Sequence, residues 1–253
     1  MLPYIKLGDS YVSSYIFMAI VAFFLSTIVV VLLSKSRKIS VFDAISLSFV
    51  ATFCGILTAK LQHLAGCVIN GEAIWTAQFW KDRSITAGFV WYGGVLGALL
   101  SVVIYARIRK ILLKRATDLM VPFALTFDGI ARFGCLFAGC CYGKESTWGF
   151  DYNGTIRLPW PLFESVLCFI ILVQFLVWKP ERKHPGILLP LYLLTYSFGR
   201  FILEYFRGDD SRGFFLFFST SQWIALLIVT IMILFIIRVI KPQRRDNFGV
   251  KGL

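Results

Sequence analysis

Ser14-Tyr-Ile-Phe-Met-Ala-Ile-Val-Ala-Phe-Phe-Leu-Ser-Thr-Ile-Val-Val-Val-Leu-Leu33 decides the class of this protein. The run carries no charge and is apolar on every side. About 20 such residues in a helix cross the roughly 30 Å hydrocarbon core of a bilayer. Upstream, Met1–Ser13 lacks the basic start, short apolar core and small-residue cleavage site of a secretory signal. The run is therefore expected to stay in the membrane as a helix.

Working outward, six further stretches read as spans. They are Val41–Ala59, with Asp43 near its start; Ala87–Ala106; Leu119–Ala138, with Asp128 and Arg132 inside; Pro161–Trp178, with Glu164; Ile187–Phe206, with Arg200 and Glu204; and Trp223–Ile240. Glu72–Arg83, amphipathic and Trp-containing, suits the interface. Composition agrees: 58% of the 253 residues are apolar and 16% charged, where soluble domains average about 45–50% and about 25%. The fold class expected is an all-α polytopic membrane bundle of about seven transmembrane helices. Residues 1–253 show no repeat or linker and form a single membrane domain on this reading.

The net charge of +12 would suit nucleic acid only on the basic face of a soluble domain. Here the basic residues sit in short runs between spans, so no nucleic-acid partner is expected. Lys35–Lys38, Arg107–Arg115, Lys179–Lys183 and the tail from Arg238 to Lys251 together hold sixteen Lys and Arg, against eight in the opposite loops. Cytoplasmic loops carry the excess. The N-terminus is thus expected outside and the C-terminus inside, as an odd number of spans requires. The tail beyond Ile240 reads as a flexible basic end near anionic headgroups.

Ionisable groups inside a membrane are costly and face a bundle interior or a water-filled cavity. Tyr196, Arg200, Glu204 and Arg207 are spaced by four, four and three residues, which predicts one helical face. Asp128, Arg132 and Cys135 repeat the pattern. Arg stays charged when buried and offers a planar fork to phosphate, so Arg132 and Arg200 could hold one lipid phosphate between two helices. Neutralising pairs within each helix, Asp128 with Arg132 and Arg200 with Glu204, fit the same spacing, as does a proton or ion pathway. Two glycine-bearing segments stand out, Gly88–Gly97 and Arg132–Gly143. Both read as helix packing; alternatively Gly134, Gly139 and Gly143 permit a backbone loop at the membrane surface, and Gly93 and Gly94 let a lipid headgroup reach the backbone.

At these residues the chain resembles the prolipoprotein diacylglyceryl transferase family. Tyr92-Gly-Gly-Val-Leu-Gly97 resembles the family's His-Gly-Gly-x-x-Gly segment. Arg132-Phe-Gly-Cys135 through Gly143 resembles its signature Gly-Arg-x-Gly-Asn-Phe-x-Asn-x-Glu-x-x-Gly. Leu158-Pro-Trp-Pro-Leu-Phe-Glu164 resembles its Pro-x-x-Leu-Tyr-Glu helix entry, and Tyr196–Arg207 its late Arg-Phe-x-x-Glu-x-x-Arg helix. Arg132, Gly134, Gly143, Arg200, Glu204 and Arg207 match. Tyr92 stands for the family's His, Cys135 for Asn, Cys140 for Glu, Ala131 for the Gly before Arg132, and Lys60 for a common Arg. A branch with an Arg-x-Gly-Cys…Gly-Cys-Cys-Tyr-Gly signature is the more similar one.

The resemblance implies seven spans in a bacterial cytoplasmic membrane and transfer of diacylglyceryl from phosphatidylglycerol to the lipobox cysteine of a prolipoprotein signal peptide. Tyr92, Arg132 and Arg200 would be catalytic. Arg132, Gly93, Gly94, Tyr196, Arg200, Glu204 and Arg207 would bind substrate. A transferase using another lipid or acceptor, and a transport or non-catalytic protein on the same bundle, remain alternatives; transporters favour inverted repeats, and none is visible. Of six cysteines, Cys135, Cys140 and Cys141 cluster. They read as apolar packing or as a redox group on an oxidising outer face. Metal ligation lacks a nearby His and paired spacing, so neither metal nor cofactor is expected.

The charge asymmetry has a direct check. Reporter fusions after Lys38, Lys114 and Lys183 should read cytoplasmic and fusions near Arg83 and Lys144 external; reversal at any two sites overturns this topology.

Overall fold

The computed structural model describes residues 4–7, 10–69, 71, 76, 91–152, 154–208 and 214–248. Seven α-helices lie among them: α1 Ser14–Ser34, α2 Val41–Ile69, α3 Trp91–Ile108, α4 Leu113–Ala138, α5 Trp160–Trp178, α6 Leu188–Leu203 and α7 Thr220–Phe248. Five are long and apolar enough to cross a bilayer, over Ser14–Arg37, Val41–Ile69, Leu113–Ala138, Trp160–Trp178 and Thr220–Arg238. The described part of α3 and all of α6 fall short of that length. The interfacial stretch expected over Glu72–Arg83 lies outside the described residues, Thr76 apart.

Sequence periods missed two features. Three antiparallel hairpins, β1 Tyr4–Leu7 with β2 Ser10–Ser13, β3 Glu145–Tyr152 with β4 Thr155–Arg157, and β5 Phe214–Phe215 with β6 Phe218–Ser219, adjoin helix ends. Helix α7 also continues past Ile240 to Phe248 through a basic stretch expected to be flexible; Lys, Arg and Gln are competent helix formers.

The chain divides into two compact units, Val30–Met120 and Met1–Val29 with Val121–Leu253. In the first, α2 and α3 pack through small residues. A Cβ on Gly93 would lie 3.0 Å from the Thr58 carbonyl oxygen, and one on Gly94 3.5 Å from that of Gly55. Thr58 Oγ1 sits 2.8 Å from the Gly93 carbonyl. Gly93 and Gly94 thus lie against α2. Pro122 within α4 has no N–H for the Asp118 carbonyl one turn earlier; the Arg37 guanidinium donates to that carbonyl instead.

The second unit has the polarity of a membrane protein. Phe24 on α1 is 60% exposed and Val177 on α5 is 78% exposed, whereas Glu164 is 0% exposed. An apolar outside around a charged inside suits lipid as solvent. Hydroxyls are satisfied within their own helices, as in Ser26 to the Ala22 carbonyl at 2.6 Å and Thr126 to that of Pro122 at 2.8 Å. The core joins Val121 and Leu125 of α4 to Cys168, Ile171, Leu172 and Phe175 of α5 and Leu188 and Tyr196 of α6.

One end of this unit is tied by backbone. Gly143 N–H donates to the Leu158 carbonyl at 2.9 Å, Lys144 N–H to Phe206 at 2.9 Å, and Gly208 N–H to Tyr142 at 3.2 Å. The segment after α4 is thereby held between the entry to α5 and the exit of α6. A Cβ on Gly143 would lie 2.7–2.9 Å from Leu158 and the Phe206 carbonyl, mostly backbone that cannot yield. Gly143→Ala should lower stability by about 1–3 kcal/mol, read as earlier thermal unfolding in detergent. Gly66→Ala, with nothing within 4 Å of its Cβ, should be neutral or slightly stabilising.

Candidate active site: a buried arginine–carboxylate cluster

The motif Leu158–Glu164 begins α5, and its Pro161 occupies the first turn, where a missing N–H costs nothing. One turn on, Glu164 is fully buried. Its Oε1 lies 2.9 Å from Arg132 Nη2 of α4, accepts from the Tyr196 hydroxyl of α6 at 2.6 Å, and accepts from Arg200 Nη1 of α6. A buried carboxylate with these three donors on two other helices is compensated as a low-dielectric site requires.

The intrahelical pairs read from the sequence are present but longer. Arg132 to Asp128 is 3.6 Å and Arg200 to Glu204 is 3.8 Å. Distance therefore ranks the link between helices above neutralisation within them. Asp128 also accepts from the Tyr196 hydroxyl at 3.2 Å and sits 3.6 Å from Cys168 Sγ. Glu204 accepts from Ser219 Oγ at 3.1 Å, which ties the cluster to the start of α7.

Trp160, 0% exposed, faces three guanidinium groups, with Arg207, Arg200 and Arg132 Cζ atoms 4.3, 4.6 and 5.8 Å from its ring. Its Nε1–H donates to the Leu203 carbonyl at 3.0 Å, which fixes the ring at the end of α6. Each cation over an indole face contributes about 0.5–2 kcal/mol. Three positive side chains are thus gathered on one aromatic plate beside three carboxylates.

Arg207 corrects one expectation. It is not on the helical face of Tyr196 and Arg200, because α6 ends at Leu203 and a single 3₁₀ turn, Glu204–Phe206, leads into extended backbone. The bridge of Arg207 with Gly143 and the flanking hydrogen bonds satisfy the backbone there in place of further helix. Arg207 still reaches the cluster, through Trp160. The Tyr92 side chain lies outside the described residues, and its backbone is in the first turn of α3.

Each guanidinium carries five donors in a planar fork, and the contacts above use only some of them. Arg132 Nε is buried without a hydrogen-bond partner, as is Glu164 Oε2. A second anionic oxygen placed beside Arg132 would meet a donor already oriented, with no side-chain ordering left to perform.

Beyond the cluster, α4 ends in three thiols. Cys135, Cys140 and Cys141 place their sulfur atoms within 4.8 Å of one another. Cys141 is held below the ordinary thiol range by hydrogen bonds with Cys135 and Cys140, helped by the charges of Arg207 and Arg132 against the effect of burial. Cys140 reaches about 11: a hydrogen bond with Cys135 lowers it, but that with Cys141 and burial raise it.

The family model described as prolipoprotein diacylglyceryl transferase matches residues 3–238. The chain belongs to the prolipoprotein diacylglyceryl transferase family. It is 32% identical over 208 residues to the phosphatidylglycerol–prolipoprotein diacylglyceryl transferase of Clostridium tetani, covering 78% of this chain and 81% of that one. It is 29% identical over 192 residues to enzyme 2 of that name from Clostridium perfringens, covering 69% and 75%. With the enzyme of Clostridioides difficile it shares 26% over 190 residues, covering 74% and 75%.

Against the family motifs, the structure brings Arg132, Tyr196, Arg200, Glu204 and Arg207 together, and places Gly93 and Gly94 in the other unit at the contact with α2. Sequence reading missed Glu164 and Trp160 as site residues. The signal was present: a carboxylate inside an apolar span, one turn after a Trp flanked by prolines. Removing Glu164 leaves two largely buried cations without their shared counter-charge, where breaking a buried pair costs about 3–5 kcal/mol. Glu164→Gln should therefore unfold markedly earlier in detergent than Asp128→Asn, whose contact with Arg132 is longer. Equal stabilities would remove Glu164 from the centre of the cluster.

Proposed function

We propose that this protein transfers diacylglyceryl from phosphatidylglycerol to the lipobox cysteine of prolipoproteins, the activity named for its relatives. The observation that carries the reading is the convergence of Arg132 and Arg200, from separate helices, on one buried carboxylate oxygen beside Trp160. The acceptor thiolate attacks the glyceryl carbon that bears the phosphate ester. A carbon–sulfur bond forms, the carbon–oxygen bond breaks, and its electron pair leaves on glycerol phosphate. Charge grows on the phosphate oxygens, and fixed guanidinium donors in a water-poor site stabilise that charge more than water does.

In this reading Glu164 and Glu204 aim the arginines, Tyr196 orients Glu164, and Arg207 completes the positive wall. Tyr92 is assigned by its motif as a hydrogen-bond donor to headgroup or acceptor, and Gly93 and Gly94 by the same motif as neighbours of the headgroup. A thiol with a pKa of about 8.5 is partly ionised at neutral pH, so a phenol can stand where relatives use imidazole. The bundle spans a bacterial cytoplasmic membrane seven times as one domain, N-terminus outside. Its site lies at the end of α5 away from Lys179–Lys183, towards the outer leaflet.

The rewritten positions Tyr92, Cys135 and Cys140 support a second reading, a family transferase with another lipid or acceptor. One assay separates the two: transfer of labelled diacylglyceryl from phosphatidylglycerol to a lipobox peptide in reconstituted membrane. Arg132→Ala and Arg200→Ala should abolish transfer while the protein still inserts, with Arg200→Lys only partly active for lack of the planar fork. Tyr92→Phe should lower turnover and recover towards high pH as the acceptor ionises unaided. Full activity in Arg200→Ala removes the phosphate role, and no transfer by the unaltered protein at any pH favours the second reading.

A further inference from the structure

Cys135, Cys140 and Cys141 are brought together by a helix stop. Gly139, at φ 72°, ends α4 in the left-handed conformation. Its N–H donates to the Leu136 carbonyl at 3.3 Å, and Cys140 N–H reaches back to the Cys135 carbonyl at 3.1 Å. This is the paired hydrogen bonding of a Schellman cap, whose third-last helical residue and second residue past the end touch through their side chains. In this chain both of those residues are cysteines. The chain then turns again: Cys141 adopts φ 57°, a left-handed conformation that costs a side-chain-bearing residue energy and concentrates at functional sites. The result is that Cys141 Sγ joins the other two.

We propose that Cys135, Cys140 and Cys141 form a three-thiolate site for a thiophilic cation of the Zn²⁺ or Cu⁺ class, with one coordination position open. Three thiolates about 2.3 Å from one ion sit roughly 4 Å apart, and these sulfur atoms lie within 4.8 Å of one another, so small side-chain rotations close the site. Packing alone does not explain the arrangement. Only Cys135 is buried; Cys141 is half-buried and Cys140 exposed, which gives an ion a path in and leaves a face for a fourth ligand. Thiolate sulfur without imidazole or carboxylate selects soft cations over Mg²⁺ or Ca²⁺. Among the described residues no other trio of Cys, His or carboxylates converges in this way.

The test uses the full-length protein in detergent, reduced and then freed of reductant under anaerobic conditions. Cd²⁺ serves as a spectroscopic stand-in for Zn²⁺. A sulfur-to-metal charge-transfer band should saturate at one ion per chain and be displaced by excess Zn²⁺ or Cu⁺. It should be lost in Cys140→Ser and Cys141→Ser and retained in Cys54→Ser and Cys67→Ser. Metal analysis of protein purified without chelator then separates Zn²⁺ from Cu⁺, and either supports the site. Absence of the band, or its persistence in both Cys140→Ser and Cys141→Ser, overturns the proposal. So does a disulfide between any two of the three in chain isolated from membranes with its thiols trapped.

Discussion

Burying Glu164 dictates much of the second unit. A lone carboxylate in a low-dielectric interior carries a penalty of several kcal/mol, and the attraction of two guanidinium groups offsets it only with good geometry and its own hydrogen bonds. Glu164 therefore requires α4 to present Arg132, and α6 to present Arg200 and Tyr196, at one level. The two arginines would in turn repel each other without the Glu164 oxygen they share, and both lie beside the indole of Trp160. The cluster thus sets the relative height of three helices. Apolar packing of α4, α5 and α6 alone would allow them to slide, since the bilayer gives helices no hydrophobic reason to choose a register.

The backbone ties at the same end serve that cluster. Gly143 lets the segment after α4 pass between Leu158 and Phe206 at distances no side chain tolerates. Its bridge to Arg207 ends the α6 helix in extended form and turns that arginine towards Trp160. A site whose positive groups are each held by a carboxylate, a ring or the backbone has little left to reorganise, and preorganisation of this kind is where electrostatic catalysis draws its strength. Along the stretch that resembles the family signature, Arg132, Gly134 and Gly143 match, whereas Ala131, Cys135 and Cys140 depart from it.

Much of this was legible in the sequence. Ser14–Leu33 declares a membrane protein by length and lack of charge, and the spacing of Tyr196, Arg200 and Glu204 marks a polar helix face inside the bundle. Both are one-dimensional properties: span length follows from bilayer thickness and helix rise, and a face follows from 3.6 residues per turn. Folding decided the partners. Asp128–Arg132 and Arg200–Glu204 have the textual spacing of ion pairs, yet both arginines lie nearer Glu164, 32 and 36 positions away in the chain. The end of α6 before Arg207 depends on a strand-like contact with Gly143, which no local period encodes. Cys135 and Cys140 look unpaired at a spacing of five until Gly139 ends the helix and folds one onto the other. Sequence alone determined the solvent, the helices and the residues that must be hidden from lipid; only the tertiary structure, by setting which buried charges and thiols meet, decided what those residues hold.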